Sequence, residues 1–153
     1  MLLSLTYLSR SVLPEDSCDD TVARIIERSI EWNSSHGITG GLLFTGRHFA
    51  QTLEGEEFEV LGLIEMIRQD PRHERLHVLC REPIAARSFS AWWMAYRGRT
   101  SFIDRKVEAA HPDSKAMQVT TPGELRELIK LFAFQRALAG EPGMRAEPRA
   151  DRY

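Results

Sequence analysis

The chain has 153 residues, enough for one compact domain with a short appendage and too few for a second large one. Its 42% hydrophobic, 27% charged and 8% aromatic residues are the proportions of an ordinary globular protein that buries its own core, which excludes global disorder. A formal net charge of −2 lacks the basic excess of a phosphate-backbone binder, so nucleic acid is not expected as a partner.

In chain order, Leu3, Leu5 and Tyr7 alternate with Ser4 and Thr6, the period of a half-buried strand, and Pro14 ends the segment. Asp19 or Asp20 can cap a helix whose inner stripe runs Val22, Ile25, Ile26, Ser29, Ile30 and Asn33 at steps of three and four, until Gly37 stops it. Residues 40–44 and 48–53 flank Thr45-Gly46-Arg47 and read as a hairpin. Glu56 to Gln69 carries Val60, Leu63, Ile64 and Ile67 at helical spacing, and Asp70-Pro71 ends it because the residue before proline leaves the α region. Leu76 to Cys80 and Ser88 to Met94 supply two more strands. The order βαββαββ predicts an α+β fold of the ferredoxin-like, split-βαβ kind, an antiparallel-rich sheet with both helices on one face.

Residues 1–98 hold ten arginines, no lysine and fourteen acids, whereas residues 99–153 hold ten basic and eight acidic side chains. This change of charge near Gly98 places a boundary between a core domain, residues 1–98, and a C-terminal extension, residues 99–140. Ser101 to Ala110 reads as a short helix. Thr121-Pro122-Gly123-Glu124 is a capping box with proline at the first helical position, opening a helix with Leu125, Leu128, Ile129 and Phe132 on one stripe and a stop near Gly140. The extension is expected to cover the other sheet face. Its remaining apolar positions, Leu131, Phe134 and Leu138, suit self-association into a homo-oligomer. Residues 141–153, with two prolines and six charges, are expected to be disordered.

Cys18 and Cys80 can build neither a metal cluster nor a disulfide framework and read as free thiols of a reducing compartment. His36, His48, His77 and His111 show no ligand spacing, so no metal site is expected. The N-terminus has no basic leader, and its apolar run is too short for a signal peptide or membrane span. A cytoplasmic protein without a membrane partner is the expectation.

Function is signalled by polar residues where the periodicity demands apolar ones. Gln51 lies between Phe49 and Leu53 on one strand face, Tyr7 extends the Leu3–Leu5 face, and Ser29 and Asn33 sit on the buried helical stripe. A buried amide without a partner costs on the order of 1–3 kcal/mol. Each polar group alone is accounted for by bonds to its neighbours. Three of them, from three elements, projecting into one space favour a planar ligand with donors and acceptors on its edge. Trp92 and Met94 share one face of the last strand, and Trp93 faces the other way.

These residues fall in blocks. Leu5-Thr6-Tyr7-Leu8-Ser9, Asn33 with Gly37-Ile38-Thr39-Gly40, Phe49 to Gly55, Asp70-Pro71-Arg72-His73 and Phe89 to Met94 together resemble the BLUF domain, a flavin-binding sensor of blue light. The resemblance spans residues 1–98 and implies the same ferredoxin-like fold. It implies a flavin, FAD in preference to FMN or riboflavin, seated between the two helices. Asn33 would hold its carbonyl and imide edge, and Gln51 would stand between Tyr7 and the ring. Ile25, Ser29, Phe49 and Ile67 would line it, and Asp70, Arg72 and His73 would contact the ring or its side chain. Photochemistry would run through Tyr7 and Gln51, with Met94 and Trp92 competing for the place beside Gln51 and coupling the change to the last strand. Trp32 departs from the smaller polar or imidazole residue of relatives; its indole stacks near the ring, acts as a second electron donor, or faces the surface. The stretch from Arg10 to Asp16 is slightly longer than in some relatives.

The expected function is thus a non-enzymatic photoreceptor, a short BLUF protein that signals through other protein chains. An acylphosphatase-like hydrolase would need a glycine-rich phosphate loop after the first strand, where Leu5-Thr6-Tyr7-Leu8-Ser9-Arg10 has none. A ferredoxin-like interaction module that has lost flavin is the other alternative, against which stands the joint presence of Tyr7, Asn33, Gln51 and Met94.

Overall fold

The computed structural model describes residues 1–14, 18–117 and 119–141. Its elements are β1 (Leu2–Ser11), α1 (Cys18–Ser35), β2 (Thr39–Phe44), β3 (His48–Glu56), α2 (Glu57–Arg68), β4 (His73–Pro83), β5 (Trp92–Arg97), α3 (Ser101–Glu108) and α4 (Pro122–Leu138). The sheet order is β4-β1-β3-β2-β5. β1 runs antiparallel to both β3 and β4, β2 antiparallel to β3, and β5 parallel to β2. This is the α+β, ferredoxin-like arrangement expected from the element order.

Alternation along the strands divides the core in two. Leu3, Leu5, Tyr7 and Leu53 face α2 with Val60, Leu63 and Ile64, while Leu42, Phe44, Phe49 and Trp92 pack with Val22 of α1. From the other face Leu8, Leu43, Ala50 and Ala95 meet Ile103 and Val107 of α3 and Leu125, Ile129 and Ala133 of α4. Residues beyond Gly98 thus complete the core of the same sheet. Leu131, Phe134 and Leu138 are left 53%, 60% and 72% exposed, so the second apolar set of α4 is not needed for covering the sheet.

Local signals explain most element ends. Gly37, at φ 64°, follows α1 in the left-handed conformation that glycine adopts without steric cost, and the Ile38 amide closes on the Asn33 carbonyl at 2.9 Å. Thr121 and Glu124 form the reciprocal capping box of α4, with Pro122 in its first turn. Asp19 and Asp20 lie within the first turn of α1, where they oppose the helix dipole, and not at its cap.

Two strands differ from the sequence reading. β4 runs from His73 to Pro83, well beyond Leu76–Cys80, because an edge strand paired only with β1 can carry Glu74, Arg75, Arg81 and Glu82 toward solvent. A bulge opposite Ser9 places Arg75 at φ 52°. β5 begins at Trp92 and not at Ser88. The amides of Ser88 and Phe89 donate to the buried Glu54 carboxylate at 2.7 and 3.1 Å, so they are removed from strand pairing. Residues 142–153, expected to be disordered, and the thiol of Cys18 lie outside the described residues. Cys80 is a free thiol, half-buried.

Candidate functional site

Between α1 and α2, above the β1–β3–β2 face, lies a cavity of about 850 Å³. Its floor is a register row: Tyr7 of β1 pairs with Gln51 of β3, which pairs with Leu42 of β2. The Tyr7 hydroxyl donates to Gln51 Oε1 at 2.8 Å, and both side chains are buried. Burial above all, and then the nearby Asp70 carboxylate, push the Tyr7 phenol far above its ordinary pKa. Tyr7 is therefore a protonated donor at neutral pH, which commits Gln51 Oε1 as acceptor and leaves the amide N–H groups as donors for another partner.

Asn33 borders the same cavity from α1. It is 1% exposed, and neither its Oδ1 nor its Nδ2 has a hydrogen-bond partner among the described residues. Ser4 Oγ and Trp92 Nε1 are the other buried side-chain atoms in that condition, but neither residue borders the cavity. An orphan acceptor and an orphan donor on one amide, each costing about 1–3 kcal/mol, match an edge that offers one donor beside one acceptor. A flavin ring has such an edge in its adjacent carbonyl and imide groups, so the residues present fit that group.

At the end of α2 the site is built from a tight local network. Asp70 accepts from the Arg72 backbone N–H and from its Nε, each at 2.9 Å. The His73 Nε2–H donates to the Ile67 carbonyl, so in the neutral ring Nδ1 accepts from Ser9 Oγ at 2.7 Å. His73 is thereby a strut between α2 and β1, and one side of the Arg72 fork is occupied by Asp70. Burial by itself would raise the Asp70 pKa, but the Arg72 side-chain and backbone hydrogen bonds outweigh it and hold the carboxyl below its ordinary value.

This pair makes stability depend on acid. A carboxyl whose folded pKa is depressed contributes stability that is full above its unfolded pKa, about 4, and lost as pH falls through the folded value. Melting temperatures measured downward from pH 5 should therefore fall less steeply for Asp70→Asn than for the wild type. Parallel curves would show that the pair contributes nothing.

The fold brings together every residue expected to touch a ligand: Ile25, Ser29 and Asn33 from α1, Phe49 and Gln51 from β3, Ile67 from α2, and Asp70, Arg72 and His73 from the turn that follows. Trp92 and Met94 are not among the lining residues. Both belong to the α1-facing core, but Met94 pairs with Leu42, and Leu42 stands between it and Gln51. Leu42 is thus the register neighbour of Gln51 on β2, with Met94 one strand further out.

The structure adds lining residues that the sequence left unmarked, among them His36, Leu42, Leu63 and Met66, and it puts Trp32, for which a place near the ring was one of three expectations, in the lining as well. Trp32 stacks on His36 with ring centroids 3.9 Å apart and planes 11° from parallel, at the cavity mouth. Continuing the α1 stripe from Ser29 through Trp32 to His36 at helical spacing was the available signal.

A sheet with a ligand-sized cavity under two helices, holding one buried amide unsatisfied, defines a binding domain for a flat, polar-edged ring. The comparisons with known proteins agree. The family model described as BLUF, sensors of blue-light using FAD, matches residues 2–95. The chain is 36% identical over 92 residues to the photoactivated adenylate cyclase subunit beta of Euglena longa, and 33% identical over 116 residues to the subunit alpha of Euglena gracilis. These alignments cover 60% and 76% of this chain and only 10% and 11% of those proteins, so the chain spans about a tenth of the curated relatives it matches. Among solved structures it is similar to BlrB, a BLUF protein in its dark state, with TM-score 0.65, 32% identity and coverage of 87% of this chain and 96% of that one. It is also similar to BlsA in its photo-activated state, with TM-score 0.69, 25% identity and coverage of 87% and 95%. The chain belongs to the BLUF family of flavin-based blue-light sensors.

Proposed function

We propose that the cavity seats the isoalloxazine ring of FAD, and that illumination changes the hydrogen bond Gln51 makes to that ring. The observation that carries this reading is the unpartnered Asn33 amide in the cavity that also holds the Tyr7–Gln51 bond. Asn33 orients the ring by its polar edge, while Ile25, Phe49 and Ile67 supply apolar walls that exclude water.

Bound flavin supplies absorption of blue light and an excited ring able to accept an electron. Tyr7 is the donor on hand, a phenol whose proton has a ready acceptor in Gln51 Oε1 at 2.8 Å. With flavin held there, Tyr7 would give up an electron and a proton together and take both back once Gln51 has changed its hydrogen bonds, so the ring ends oxidised, no external reductant is needed, and only the Gln51 rearrangement is left to reverse in the dark. Gln51 is suited to record the event because an amide both donates and accepts. After rotating or tautomerising, it presents a different hydrogen bond to the ring, which shifts the absorption to the red. In this reading no substrate bond is broken. Output passes to another protein chain, with the exposed stripe Leu131, Phe134 and Leu138 of α4 as the surface available to a partner or to a second copy.

Two measurements test this. The purified chain should be yellow and give a reversible light-minus-dark difference spectrum, and the flavin released on denaturation should run with FAD. A chain colourless after incubation with FAD, FMN and riboflavin sinks the proposal. Asn33→Ala removes a donor and an acceptor worth about 1–3 kcal/mol each, and should weaken flavin binding by tenfold or more. Undiminished binding, measured by fluorescence titration, would show that Asn33 does not hold the ring.

A further inference from the structure

On the opposite face of the sheet, the fold brings a histidine of the edge strand to a histidine and an aspartate more than thirty residues further along the chain. His77 projects from β4, and His111 and Asp113 from the connection just after α3. One ligand atom from each lies within 4.8 Å of the other two. The His77 and His111 rings meet edge to face with centroids 4.7 Å apart. His111 Nδ1 and Asp113 Oδ2 are 3.8 Å apart. Two ligands each about 2.1 Å from one zinc ion can be no more than about 4.2 Å apart, so this pair already has a suitable bite.

We propose that His77, His111 and Asp113 form a site for a divalent transition-metal ion, of which Zn²⁺ is the best match, tying the edge strand β4 to the α3–α4 connection. Two imidazoles and a carboxylate are a ligand set that zinc accepts, with water completing the tetrahedron. The site has a rigid part and a yielding part. His111 has a side-chain exposure of only 9%, and its segment is held by hydrogen bonds from Ser114 N to the His111 carbonyl and from Thr120 N to the Ala109 carbonyl. Asp113, 61% exposed, is free to close the remaining distance. The Asp113 amide, which now donates to His111 Nδ1 at 3.1 Å, gives up that lone pair to the ion and turns to water. A cavity of about 130 Å³ bordered by His111, Asp113 and Ser114 leaves room for the bound water.

The surrounding charges set the affinity. Arg10, Arg47 and Arg75 border this cavity together with Glu108 and His48. Arg47 is paired to Asp104 at 3.4 Å, and Arg75, 3.9 Å from Asp113, competes for the same carboxylate. Because the site lies on the face away from the flavin cavity, metal binding and flavin binding are independent, and failure of one does not bear on the other.

The test uses the untagged full-length chain, stripped with chelator and titrated with Zn²⁺ by calorimetry and with Co²⁺ by visible absorption. One ion per chain is expected, with a cobalt spectrum of low coordination number. His77→Gln, His111→Gln and Asp113→Asn should each weaken binding by more than the 10–100-fold typical of losing a mere supporting hydrogen bond, and Arg75→Ala should strengthen it. Asp113 is exposed, so its variant stays informative even where a histidine variant loses stability by circular dichroism. No saturable binding, or equal binding by the wild type and Asp113→Asn, overturns the site.

Discussion

Gln51→Leu should bind flavin and show no reversible red shift at all. Leucine fills similar space among Phe49, Leu42 and Tyr7, so the cavity keeps its shape, but it can neither accept the Tyr7 proton nor present a donor to the ring. The loss is therefore of the light response and not of the fold. Tyr7 then keeps its buried hydroxyl without its 2.8 Å acceptor, a penalty of about 1–3 kcal/mol that should appear as a lowered melting temperature. Light-minus-dark spectra at matched flavin content decide the matter. A normal difference spectrum in this variant would refute the role of Gln51 as the recorder of the event, whatever becomes of Asn33.

Truncation after Gly98 should abolish a monodisperse elution profile. Val107, Leu125 and Ile129 are each fully buried against Leu8, Leu43, Ala50 and Ala95. Burial of each such side chain is worth about 1.5–3 kcal/mol, and the three together approach the whole stability of a typical domain, 5–15 kcal/mol. The uncovered sheet face would then drive association. Whatever fraction stays folded should retain the initial spectral shift, because the flavin cavity is on the other face. Size-exclusion chromatography of the two forms settles it, and an unchanged, soluble profile would show that α3 and α4 do not cover the sheet. Ile129→Ala is the milder companion: it should cost about 2–5 kcal/mol of stability without moving the light-minus-dark spectrum.

The element order and the lining of the cavity are legible in the sequence for a common reason. Both depend on which face of a helix or strand a residue occupies, and that face follows from spacing alone. Tyr7, Gln51 and Asn33 stood out because each breaks an apolar period that the structure keeps around it. The ends of β4 and β5 were misplaced because they depend on partners distant in the chain. β4 is extended by pairing along the whole of β1, and β5 is delayed by Glu54, whose carboxylate takes two amides 34 and 35 residues away.

What the sequence determined by itself is the ferredoxin-like order, the buried faces and the polar residues set among them, since periodicity and capping are local properties of the chain. Only the tertiary structure decided that Leu42 separates Met94 from Gln51, that the Asn33 amide lacks a partner, and that His77 meets His111 and Asp113. Each of these is a distance between elements, fixed by strand register and by the packing of helices on the sheet, and no spacing within one segment encodes it.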